Sequence, residues 1–198
     1  MTNRQAKSER WYAIAYLLWC VIAEYGQLVP HSLRPPQAMT SATVTRVVSG
    51  QTIEVSLDTP LDIPSDRRGK PIETIRLSGI DAPDLRQSPW GLASQQALAT
   101  RIEGRRIGLE WERADELGRP DRDRFERLHA SVWFEGELIQ AELLRSGWGL
   151  MQDSPLGQES LHIATLRNAE AEARSLDRGL WSAVSALRQH PAEFRSEL

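Results

Sequence analysis

Short windows of strict alternation between apolar and polar residues dominate the chain from residue 43 onward. Ile53, Val55 and Leu57 alternate with Thr52, Glu54 and Ser56, the pattern of a half-buried strand. The stretch before it, from Thr45, reads as a partner strand across a tight bend at Ser49-Gly50-Gln51. A long polar loop, Asp58 to Pro71, follows, and Ile75 and Leu77 then alternate with Arg76 and Ser78 in a third strand. Ser88-Pro89 has the form of a capping serine with proline at the first helical position, and predicts a helix running to Ile102 and stopping at Gly104. Ile107, Leu109 and Trp111 mark a fourth strand; Leu128, Ala130, Val132 and Phe134 mark a fifth. Leu138 to Arg145 predicts a short helix ended by Gly147. Gln158 to Ser175, alanine-rich with Leu161 and Ala164 on one face, predicts a longer helix closed by Gly179.

Five short strands with one helix interposed are what a small closed Greek-key barrel of the OB type needs. The predicted class is therefore α+β, mainly β: a five-stranded OB-fold barrel with three helices over residues 43–182, and an unassigned tail over 183–198. No internal repeat is present.

The pattern before residue 43 is different. Arg4, Lys7 and Arg10 precede an uncharged apolar run from Trp11 to Ala23. As a helix it would span about 20 Å, short of the roughly 30 Å of a bilayer core and suited to the apolar region of a secretory signal. Val21 and Ala23 are small residues where a signal peptidase reads, so residues 1–23 are expected to be a cleaved signal peptide or an uncleaved membrane anchor with its basic end in the cytoplasm. Bulky Trp19 before Cys20 disfavours a lipoprotein signal. Residues 24–42, with three prolines from Leu28 onward and no apolar period, read as a linker. The expected location is outside the cytoplasm: periplasmic, extracellular, or held at the membrane.

Composition narrows the class without naming a function. A chain of 198 residues that is 40% hydrophobic and 26% charged is that of a globular protein, neither disordered nor multi-spanning. The net charge of −3 disfavours tight non-specific binding to nucleic acid. A single cysteine, Cys20, excludes an intrachain disulfide. The four histidines are scattered, so zinc is not indicated, and no Walker loop, Gly-x-Ser-x-Gly or His-Glu-x-x-His occurs. The arginines between Arg101 and Arg127 are interleaved with acids such as Glu103, Glu110, Asp115 and Asp121, as on a self-paired surface.

Two pieces carry the chemistry: "VVSGQTIEV" at residues 47–55 and "RLSGIDAPD" at residues 76–84, the latter with an arginine inside an apolar strand and two carboxylates past its end. With "DRFERLHASVWF" at residues 123–134 and "RGLW" at 178–181, in this order, they resemble the staphylococcal nuclease-like (thermonuclease) family over about Thr43 to Trp181. That resemblance implies an OB barrel and a calcium-dependent phosphodiesterase acting on DNA or RNA.

Carried over position by position, it implies that Arg76 and Arg127 clamp a phosphate, Asp84 serves as general base, and Asp81 with Gln51 holds calcium. Phe125 would stack on a base. The motif also departs from its pattern. Gln51 brings an uncharged amide oxygen where the family has an aspartate, and Ser49 replaces another, which weakens a calcium site because affinity follows ligand charge. Asp84 replaces a glutamate one methylene longer, and base catalysis needs hydrogen-bond reach to water. Glu126 replaces a glycine beside Arg127. Two readings follow: an attenuated nuclease, expected as a monomer and taking DNA or RNA as substrate, or a catalytically inactive module on the same barrel that binds nucleic acid or protein.

Overall fold

The computed structural model describes residues 39–59, 72–112, 120, 122–152, 160–184 and 186–197. The signal or anchor expectation for residues 1–23, most of the linker and most of the polar loop after Asp58 lie outside the described residues. In chain order the elements are β1 (Thr40–Ser49), β2 (Thr52–Leu57), β3 (Ile72–Leu77), β4 (Ile80–Asp81), α1 (Trp90–Ile102), β5 (Arg106–Trp111), β6 (Leu128–Phe134), β7 (Glu137–Leu138), α2 (Ile139–Arg145), β8 (Leu150–Met151), α3 (Ile163–Ser175), a single 3₁₀ turn (Gly179–Trp181) and α4 (Pro191–Ser196).

Five of these strands close a barrel. β1 pairs antiparallel with β2 on one side and β5 on the other; β2 pairs with β3, and β5 with β6. Closure comes from a parallel pairing of β3 with β6, in the register Ile75↔Leu128, Arg76↔His129, Leu77↔Ala130. The alternation read from the sequence supplies the filling: Ile53, Val55, Ile75, Leu77, Leu109, Leu128, Ala130 and Val132 are fully buried. Leu98 and Ile102 of α1, Ile139 and Leu144 of α2, and Leu166 of α3 join the same core. A sheet closed on itself leaves no open edge for strand addition.

Local structure differs from expectation in several places, among them the start of α3, which begins at Ile163 and not at Gln158. α1 begins at Trp90 with Pro89 in the cap position and no side-chain cap hydrogen bond, so Ser88 does not cap it. The buried face of α3 is Leu166, Ala169 and Ala173, while Ala164 is exposed. An alanine-rich segment offers several faces of similar apolarity, and the one that meets α2 and the core is decided by packing. The region expected as an unassigned tail contains α4, with Pro191 at its first turn and the His190 side chain accepting from Ala192 N.

Candidate functional site

One end of the barrel gathers the β1–β2 turn, the β3–β4 turn and the start of β6. The β1–β2 turn is two residues long, with Ser49 opposite Thr52. Irregularities in β1 between Val44 and Arg46 and between Val47 and Ser49 twist the strand as it enters the turn. Gly50 is required there: a Cβ would collide with Ser94 Oγ of α1 and sit 2.9 Å from Ala82 Cβ. Gln51 then stitches the turn to its neighbours. Its carbonyl accepts from Leu77 N at 2.9 Å, and its Oε1 accepts from Ala82 N at 2.6 Å.

Arg76 lies on the strand face opposite Ile75 and Leu77, yet it too is buried. The β3–β4 turn, with Gly79 at φ +76°, folds over it. Arg76 Nη1 donates to Leu77 O and Nη2 to Ile80 O, each at 2.6 Å, and Nη2 lies 3.8 Å from Asp81 Oδ1. Burial pulls its pKa down to about 10; Asp81 and Asp123 work against the fall, while Arg127 and Arg195 add to it. The guanidinium stays charged at neutral pH within electrostatic range of both other arginines. Glu73, also on β3, is held at 2.9 Å through both oxygens by Arg122.

Asp81 is 4% exposed, and it is fixed by the short antiparallel pair β4–β8, where it faces Leu150. Both carboxylate oxygens accept from Arg195 Nη2 of α4, at 2.8 and 2.6 Å. Arg195 Nη1 is 3.4 Å from Ala82 O. Asp84, in the loop before α1, is brought to the same end but is committed to Arg86: its Oδ1 accepts from Arg86 N and Nε, its Oδ2 from Arg86 Nη2. The hydrogen bonds from the Arg86 side chain and backbone lower its pKa.

Arg127 stands just before β6 and is presented by Asp123. Asp123 Oδ2 accepts from Arg127 Nε (2.9 Å) and Nη2 (2.7 Å), and Oδ1 from Arg127 N (3.0 Å) and Phe125 N (2.8 Å). His129 Nε2 lies 3.2 Å from the same Oδ2. Burial works to raise the Asp123 pKa, but these hydrogen bonds outweigh it and hold the carboxyl well below the usual carboxylate range. Glu126 adopts φ 60°, so the turn keeps a left-handed conformation without glycine. Phe125 is 62% exposed, with the Arg124 and Arg127 guanidiniums 4.7 and 5.1 Å from its ring centre.

Gln51, Arg76, Asp81, Asp84 and Arg127 therefore converge on one end of the barrel, with Phe125 at the rim beside Arg127. Three further residues shape the site: Arg195, Asp123 and Gln87, whose Oε1 accepts from Asp84 N. Asp123 belongs to the motif that contains Arg127, and an acid four residues before an arginine across a turn is a readable pairing signal. Arg195 carries a weaker one, His190-Pro191 as a helix start.

These donors do not fit a calcium ion as they stand. Calcium takes six to eight oxygens. Both oxygens of Asp81 face a guanidinium, and the Gln51 amide oxygen is used by Ala82 N. Among the described residues no three His, Cys, Asp or Glu side chains converge as a metal-binding group.

A family model described as staphylococcal nuclease homologue matches residues 74–183. The chain is 32% identical over 143 residues to a protein of Debaryomyces hansenii named probable endonuclease LCL3, a match covering 67% of this chain and 58% of that protein. A protein of the same name from Scheffersomyces stipitis is 31% identical over 144 residues, 68% of this chain and 59% of its own length. Endonuclease YncB of Bacillus subtilis is 24% identical over 169 residues, covering 80% and 72%. The chain thus spans under two thirds of the first two relatives. More than half of the chain matches the family model and its strands close the expected barrel, so the protein belongs to the staphylococcal nuclease homologue family.

Proposed function

We propose that the protein is a nuclease that hydrolyses phosphodiester bonds in DNA or RNA. The observation that carries this reading is Arg76: a buried guanidinium held by two carbonyl oxygens, with Arg127 and Arg195 within electrostatic range. A fixed fork of donors suits the non-bridging oxygens of a phosphate, whose charge grows in the transition state. In the step, water oxygen forms a bond to phosphorus while one P–O ester bond breaks. The water proton passes to the Asp84 carboxylate, and the leaving oxygen collects a proton from solvent. Phe125, flanked by two guanidiniums, offers a stacking face for a base.

Attenuated activity belongs to the proposal, because the Asp84 carboxylate must share its lone pairs between water and Arg86. The family's calcium assistance is left out of the step, since the donors around Asp81 do not fit the ion. Export or membrane attachment through the apolar run from Trp11 to Ala23 belongs to the same proposal.

The engagement of Asp84 by Arg86 also favours a second reading, a module that binds nucleic acid or protein without cleaving. Cleavage of single-stranded DNA by the full chain, beside Arg76→Ala, separates the two. The nuclease reading expects cleavage that drops by about two to three powers of ten in Arg76→Ala, the usual scale for removing one preorganised donor. Equal rates in both chains would refute the role of Arg76, and no cleavage by the native chain would favour the binding module.

A further inference from the structure

The segment that carries Arg195 is built into the barrel end. Leu187 N donates to Leu180 O at 2.9 Å. Gln189 O accepts from Gln87 Nε2 at 3.1 Å, and Pro191 is buried at the start of α4. Gln87, itself buried, also accepts through Oε1 from Asp84 N at 3.0 Å. One side chain therefore ties the loop of Asp84 to the segment of Arg195. At the far end of α4, two carboxylate oxygens of Asp81 and the carbonyl of Ala82 face a single guanidinium.

Charge and exposure give this arrangement its meaning. Asp81 lies close to two guanidiniums, Arg76 and Arg195, while Arg127 is matched by Asp123. With Asp84 matched by Arg86, three cations against two anions leave these groups positive by one charge, which favours a phosphate. Asp81 is nearly inaccessible, whereas the Arg195 side chain is 34% exposed, and a guanidinium has five N–H donors, more than its contacts to Asp81 and Ala82 use. The neighbouring turn contributes Ser49 and Gln51, neither of them charged, and a lone carboxylate matches a monovalent guanidinium better than a divalent ion.

We infer that Arg195 is the resident cation of the site. It occupies the position on Asp81 that a divalent metal would need, and one of its remaining N–H groups donates to a phosphodiester oxygen, so that cleavage proceeds without a divalent metal. The inference rests on the hydrolase reading and deepens it. Arg195 moves no proton; the bonds made and broken are those of the step above. A guanidinium is suited to the role because it can grip a carboxylate through one edge and a phosphate through another.

The test compares the full native chain with Arg195→Ala, Arg195→Lys and Arg76→Ala on a short single-stranded DNA, in chelator and in millimolar calcium, with calcium calorimetry alongside. The expected result is equal native rates in chelator and calcium, and a loss of about 100-fold in chelator for Arg195→Ala, with Arg195→Lys retaining part of the activity. Calorimetry should give no calcium heat for the native chain and measurable heat for Arg195→Ala that Asp81→Asn in the same background abolishes. Native cleavage that requires calcium overturns the inference. So does faster cleavage by Arg195→Ala in chelator, which would make the side chain a plug.

If no chain cleaves in either buffer, the hydrolase reading fails and calorimetry decides the cation position alone. Calcium heat from the native chain, unchanged in Arg195→Ala, refutes it; heat gained only on removing Arg195 upholds it. Thermal unfolding checks each variant. Should Arg195→Ala unfold, Arg195→Lys carries the comparison, since it keeps a positive charge near Asp81 while changing the donor geometry.

Discussion

Gln51 Oε1 accepts a hydrogen bond from Ala82 N at 2.6 Å, so the β1–β2 turn is locked to the residue that follows Asp81. The amide oxygen serves the structure by joining two segments of the chain. Truncation leaves a partly buried N–H without its acceptor, at a cost of about 1–3 kcal/mol. Gln51→Ala is therefore expected to lower the urea midpoint with the slope unchanged; an unaltered midpoint would mean the bond contributes nothing.

Placing a carboxylate at the turn should strengthen metal binding once Arg195 is removed. In an Arg195→Ala background, Gln51→Asp brings a second anionic oxygen toward Asp81, and calcium affinity follows ligand charge. Calorimetry should give tighter calcium binding than Arg195→Ala alone. Equal affinities would mean that the turn does not face the cation position.

Asp123 predicts a pH dependence. Its folded pKa lies below the unfolded value of about 4, held there by Arg127, His129 and the Phe125 amide against the effect of burial. It therefore contributes stability that is fully present above the unfolded pKa and is lost as pH falls through the folded one. Asp123→Asn should cost about 2 kcal/mol at neutral pH. The gap between variant and native urea midpoints should narrow as the buffer is taken below pH ~4, and a gap independent of pH would refute this account.

Arg86 sets the acid limb of activity if Asp84 is the base. Hydrogen bonds from Arg86 hold the Asp84 pKa down, so removing them lets it rise. A base works only when ionised, and the acid limb of kcat/KM should move to higher pH in Arg86→Ala. A limb that stays put in Arg86→Ala, or persists in Asp84→Asn, would take Asp84 out of the proton transfer.

Glu126 at φ 60° carries a local strain. A side chain in the left-handed region costs about 1–2 kcal/mol, offset in part by the larger entropy that glycine loses on folding. Glu126→Gly should raise the thermal midpoint by a few degrees, whereas a β-branched Glu126→Val should lower it. Destabilisation by glycine would show that the Glu126 side chain contributes more than the strain removes.

Much of the fold was legible because barrel strands bury every second residue, and Ile53, Val55, Ile75, Leu77, Leu109 and Val132 display that period without ambiguity. Arg76 was legible as the odd residue in such a strand. Its burial was not, because its guanidinium partners, Leu77 O and Ile80 O, flank the β3–β4 turn, and periodicity describes one strand at a time. Arg195 escaped for a related reason: a helix of six residues that buries only Pro191 leaves no apolar stripe. The pairing of Asp84 with Arg86 is local, two residues apart in a turn, but no pattern says which way two such side chains point. The face of α3 was misread because alanine is nearly neutral, so Ala164 and Ala169 look alike until a neighbour is packed against one of them.

The Asp81–Arg195 pair joins residues 114 positions apart, farther along the chain than any strand pairing in the barrel. Contacts of such long range form after the local ones that shorten the path between them, so β1 to β6 are expected to assemble before α4 docks. Refolding should then separate into two clocks, with tryptophan fluorescence reporting the barrel first and hydrogen-exchange protection of the Phe194 amide in α4 lagging behind it. A single shared rate would mean that α4 docks as the barrel closes.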